Sequence, residues 1–69
     1  MRVKFKDSIE LCKKIERCCY TGSTFLKITT LNDDIVYVKC IDEQEAKDLY
    51  DIAYVDGYIN VSNRFCEWH

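Results

Sequence analysis

Two runs rich in β-branched and aromatic residues, Thr24–Leu31 and Ile35–Ile41, flank Asn32-Asp33-Asp34. Such residues suit a pleated surface, and Asn and Asp side chains bond their own backbone in turns. The segment therefore predicts a β-hairpin. The two-residue period puts Leu26, Ile28, Val36, Val38 and Cys40 on one face, and Phe25, Lys27, Thr29, Tyr37 and Lys39 on the other. A hairpin with one apolar face is not stable alone in water, so the rest of the chain must cover it. With 69 residues, that cover has to come from one small domain, residues 1–69, burying about 60% of its unfolded surface.

The flanking segments supply candidates. Val3 and Phe5 alternate with Arg2, Lys4 and Lys6, as in a half-buried strand. Asp7-Ser8-Ile9-Glu10 has the Asp-x-x-Glu form of a helix start, and Leu11, Ile15 and Cys18 follow at i, i+4 and i+7. Cys12 and Cys19 lie beside that stripe, with Lys13 and Arg17 opposite, which predicts a helix ending near Tyr20 and capped by Gly22. Asp42-Glu43-Gln44-Glu45 repeats the start signal, and Ala46, Leu49, Tyr50 and Ala53 give a second apolar stripe that Asp56-Gly57 ends. Tyr58–Ser62 alternates again as a last strand, leaving residues 63–69 as a docked or mobile tail. The order β-α-β-β-α-β predicts an α+β domain, ferredoxin-like or a close variant. That means a four-stranded antiparallel sheet with two helices on one face. Val3, Phe5, Leu26, Ile28, Val36, Val38, Cys40, Ile59 and Val61 then point toward the helices.

Composition narrows the classes. No apolar run is long enough for a membrane span, and Met1–Lys6 has no apolar h-region, so a cytoplasmic chain without membrane association is expected. Five cysteines cannot all pair within the chain and fit reduced thiols packed as small hydrophobes. Net charge is −2 but unevenly spread: residues 1–31 carry +4, residues 32–56 carry −6, and the rest balance. Such asymmetry is an interaction signal, or two elements of opposite sign lying side by side.

Catalytic constellations are missing. The single histidine, His69, is the last residue, and Asp33-Asp34 sits where a turn would place aspartates anyway. No enzyme activity, cofactor or metal is expected. Soft-metal chaperones of ferredoxin-like fold carry Cys-x-x-Cys before the first helix. Here Lys6-Asp7-Ser8 has no cysteine, and Cys66-x-x-His69 is half a site.

Two surfaces remain. On the open sheet face Tyr37, Phe25 and Tyr58 interleave with Lys4 and Lys39, the stacking-plus-phosphate chemistry of single-stranded nucleic-acid binding. In outline this resembles an RNA-recognition motif, without that family's Gly-aromatic signature, since the strand reads Ile35-Val36-Tyr37-Val38-Lys39. The same aromatics would otherwise serve a homodimer contact or lie buried under the tail, with Trp68 or Phe65 folded across the sheet. On the second helix Glu45, Asp48 and Asp51 form an acidic stripe able to meet a basic protein surface. In size and composition the chain resembles small acidic proteins of phages and mobile elements, anti-CRISPR proteins among them. That resemblance implies a non-enzymatic inhibitor or adaptor occupying a basic partner surface through Glu45, Asp48 and Asp51. Nucleic-acid binding is the alternative, and soft-metal binding through cysteines the third reading.

Overall fold

The computed structural model describes residues 1–69 as β1 (Arg2–Lys4), β2 (Ile9–Tyr20), β3 (Ser23–Thr30), β4 (Ile35–Cys40), α1 (Glu43–Asp56), β5 (Tyr58–Asn60) and β6 (Cys66–Trp68). The strands make one sheet in the order β5-β1-β2-β3-β4-β6. Neighbours are antiparallel except β1 and β5, which run parallel. That parallel pair needs a crossover, and α1 provides it from β4 to the far edge. In a flat sheet β1 and β6 would lie four strand spacings apart, roughly 19 Å. Yet the ring of Phe5, just past β1, is 4.9 Å from that of Trp68 on β6. The sheet is therefore curled into a half-barrel, with α1 packed on its concave side. No helix is long and apolar enough to cross a membrane.

The ferredoxin-like expectation is overturned: there is one helix instead of two, and six mixed strands instead of four antiparallel ones. The segment expected as the first helix is the longest strand, β2. Its register against β3 slips between Cys12↔Thr30 and Lys14↔Thr29, which leaves Lys13 in a bulge. The extra residue brings Cys12 and Ile15, three positions apart, to the same concave side, where both are buried. Leu11 and Cys18 pair with Arg2 and Phe25 and share their convex side. A bulged strand has thus imitated helical spacing. The expected cap at Asp7 is instead a tight hairpin loop, closed by the Phe5 N–H donating to the Ser8 carbonyl at 2.8 Å.

Other elements follow their local signals. Asp42 caps α1, its Oδ1 accepting from the Glu45 N–H at 2.8 Å, while Glu45 Oε1 accepts from the Ile41 N–H at 3.0 Å. Gly57, at φ 72°, ends the helix. The tail expected at residues 63–69 contributes β6, which lies on β4 through Val36↔Trp68 and Val38↔Cys66. All nine residues expected to point inward from the strands are buried, and Ala46 and Ala53 of α1 join them with Cys12 and Ile15.

The β2–β3 turn is Thr21-Gly22, with φ of 49° and 79°. Two positive φ values make a type I′ hairpin, which favours Asn-Gly and penalises a β-branched first residue. Thr21→Asn is expected to stabilise the fold by about 1 kcal/mol, a rise of roughly 5 °C in Tm. A lowered Tm in a thermal melt would contradict the turn assignment.

Candidate functional site

With its N-cap, α1 carries six acidic residues and one basic, a net −5 over residues 42–56. Its inward stripe is fixed by Ala46 and Ala53, so Asp48, Asp51, Ile52, Val55 and Asp56 face solvent. Each expected site residue has a distinct environment. Glu45 is committed to the fold: besides its capping bond, Oε1 accepts from Arg64 Nε at 3.2 Å and Oε2 lies 3.1 Å from Arg64 Nη2. That two-pronged guanidinium contact, helped by the Ile41 N–H, holds the Glu45 carboxyl below the usual carboxylate range. Asp48 accepts from Gln44 Nε2 at 2.9 Å, and Asp51 pairs with Lys47 at 2.8 Å across half-exposed side chains. Contacts of that exposed kind contribute only about 0–1 kcal/mol and leave both carboxylates available.

Val55 is 83% exposed and Ile52 43%, directly among these carboxylates. The sequence signal for them is that they fall off the Ala46–Leu49–Tyr50–Ala53 stripe. Asp56, the last helical residue, stands at the negative end of the helix dipole, and no basic residue occupies the last turn. A carboxylate there costs about 0.3–1 kcal/mol. Helix stability explains the acids of the cap and first turn, Asp42, Glu43 and Glu45, and leaves Asp48, Asp51 and Asp56 without that explanation.

The convex sheet face is of opposite sign, carrying Arg2, Lys4, Lys14, Lys27 and Lys39 against Glu16 and Glu67. Phe25 and Tyr37 are diagonal neighbours on β3 and β4, with ring centroids 6.4 Å apart, and His69 stands edge-on to Tyr37 at 5.3 Å. Lys39 is exposed opposite Phe25, and Lys27 lies opposite Tyr37. Phe25, Tyr37 and His69 edge a depression of about 450 Å³ that Cys18, Cys19, Tyr20 and Glu67 complete. Tyr58 and Lys4 do not join them. Tyr58 lies on β5, four strand positions from Tyr37, where Arg2 sits 5.9 Å from its ring centroid. Lys4 Nζ donates to the Phe5 carbonyl at 2.6 Å. The expected nucleic-acid set is thus split between the two sides of a convex surface.

The thiols are dispersed. Cys18 and Cys19 are adjacent on a strand and so point to opposite faces. Burial pushes the Cys12, Cys18, Cys40 and Cys66 thiols up, which keeps them protonated and weakly nucleophilic near neutral pH. Cys66 Sγ lies 3.5 Å from the Arg64 carbonyl, and His69 pairs with Glu67 at 3.7 Å. Comparison with protein families, with curated proteins and with solved structures gave no match to this chain.

Proposed function

We propose that this protein is a non-enzymatic binding module whose α1 ridge of Asp48, Asp51, Ile52 and Val55 occupies a basic surface of a protein partner. The observation that carries this reading is the ridge itself: the exposed carboxylates of Asp48 and Asp51 beside the exposed apolar side chains of Ile52 and Val55, on a helix whose residues 42–56 carry a net −5 charge. Carboxylates steer the encounter, and Ile52 and Val55 supply apolar area to bury on contact. Glu45 is not part of the contact, because Arg64 and the helix start already use it. A Lys/Arg-lined nucleic-acid groove of another protein is a surface such a ridge fits, the mode of anti-CRISPR-like inhibitors of phage type.

The test is capture of partners on the immobilised chain, compared with an Asp48→Lys/Asp51→Lys variant of unchanged circular dichroism. Charge reversal at two contact positions is expected to reduce binding at least tenfold, and added salt to weaken what the parent chain holds. Equal capture by both chains would sink the reading. The Phe25–Tyr37–His69 row beside Lys27 and Lys39 supports a second reading, single-stranded nucleic-acid binding on the convex face. Anisotropy of a labelled single-stranded RNA at roughly 50 and 200 mM salt decides it, with Tyr37→Ala as the control.

A further inference from the structure

We propose that the free edge of β2, around Arg17 and Cys19, receives an extended peptide as an added strand, with an acidic side chain of that peptide set against Arg17. This surface is separate from the acidic ridge and does not rest on it. β1 pairs only with Ile9, Glu10 and Leu11, and Met1 bonds Cys12, so beyond the Lys13 bulge one edge of β2 has no neighbouring strand. Its other edge pairs with β3 from Lys14↔Thr29 to Tyr20↔Ser23. The residues closing a two-residue hairpin exchange both hydrogen bonds, and in antiparallel pairing such pairs alternate with non-bonded ones. Tyr20, Cys18, Glu16 and Lys14 therefore bond β3, while the N–H and C=O of Ile15, Arg17 and Cys19 turn to the free edge.

At Ile15 that outward turn is visible. The Tyr54 hydroxyl, reaching from α1, accepts from the Ile15 N–H and donates to its C=O, both at 3.2 Å. One side chain does there what a neighbouring strand's backbone would do. Arg17 and Cys19 have no such substitute on that edge.

The edge also borders a groove. About 540 Å³ of space lies between β2 and α1, lined by Ile15, Arg17 and Cys19 on one side and by Glu43, Ala46 and Tyr50 on the other. Strand addition beside a helix uses this combination: backbone hydrogen bonds give affinity, and the pocket reads alternate side chains. The Arg17 guanidinium is 5.5 Å from the Tyr50 ring centroid and has no carboxylate within 4.0 Å. A peptide carboxylate on the same side of the added strand completes it. A second copy of the chain is the poorer occupant. Two-fold pairing of β2 edges about Arg17 opposes two guanidiniums, pairing about Glu16 opposes two carboxylates, and pairing about Cys18 sets Arg17 against Cys19, so in none of these registers does Arg17 meet a carboxylate directly opposite.

The test is a titration of the ¹⁵N-labelled full chain with acetyl-Val-Thr-Glu-Thr-Val-amide, alongside peptides carrying Lys in place of Glu or an N-methylated Glu. The Arg17 and Cys19 amide signals are expected to move downfield and to exchange more slowly with the Glu peptide. N-methylation, which removes a backbone donor, should abolish the shifts, and the Lys peptide should bind roughly tenfold more weakly. Arg17→Gln should erase the preference for Glu over Lys. If that variant fails to fold, the peptide series on the parent chain decides alone. Unmoved Arg17 and Cys19 amides, or equal binding of the Glu and Lys peptides, would overturn the proposal. So would protection of those amides that grows with protein concentration without peptide, which would assign the edge to a second copy.

Discussion

Leu26→Ala is expected to lower the unfolding free energy by about 3 kcal/mol. Leu26 is fully buried at the centre of β3, between Arg17 of β2 and Val38 of β4, and it faces the helix across the concave side of the sheet. Truncation removes apolar burial and leaves a cavity that paired neighbours on both flanks cannot close. The scale of the protein magnifies the effect. A chain of 69 residues has a total stability of roughly 3–10 kcal/mol by the per-residue norm, so one core truncation removes a large share of it. Urea unfolding followed by far-ultraviolet circular dichroism should show a midpoint lower by about 3 M, with a slope near 1 kcal/mol per M. Leu11, on the convex side of β2 and 55% exposed, is the internal control. Alanine there should cost under about 1 kcal/mol. Comparable losses at both positions would mean that Leu11 sits in the core, as the helical reading of this segment requires, and that β2 is wrongly placed.

That control marks where the sequence is and is not legible. The alternation of β1, β3, β4 and β5 identifies the buried strand residues because a two-residue period survives wherever the ladder is regular. The caps of α1 are local, so Asp42, Glu45 and Gly57 announce it without help from the rest of the fold. β2 fails for a specific reason. Its bulge at Lys13 breaks the period once, and the residues on either side then match a helix as well as a strand. Only pairing with β1 on one side and β3 on the other decides between them, and that pairing is tertiary. The same error propagates to the architecture, since reading β2 as a helix removes the strand that joins β1 to β3. For the site, Asp48 and Asp51 are legible as exposed acids. The pairing that takes Glu45 out of the site is not, because its partner Arg64 lies 19 residues further on, in the connection between β5 and β6.

Glu45→Gln isolates that partnership. Glutamine keeps the helix-capping geometry, so the Ile41 N–H still finds an acceptor, but it cannot offer Arg64 two charged oxygens. The loss at pH 7 is expected to be about 2 kcal/mol, because the Glu45 and Arg64 side chains are only 21% and 25% exposed and Arg64 is left with weaker compensation. The pH dependence gives the sharper signature. Arg64, first through its hydrogen bonds, depresses the carboxyl in the folded state. A group whose pKa is lower folded than unfolded stabilises the fold above its unfolded value, about 4.3 for glutamate. That contribution then disappears as pH falls through the folded value. The parent chain should therefore lose its advantage over the variant across this acidic window, and the two should unfold at the same urea concentration once the folded-state carboxyl is protonated. Convergence there would assign the stabilisation to the ionised pair that fastens the β5–β6 connection to the start of α1. A gap that persists at low pH would assign it to packing, and the connection would then be held by Val61 and Cys66 together with the backbone bonds of Val61 to Lys4 and of Lys39 to Phe65.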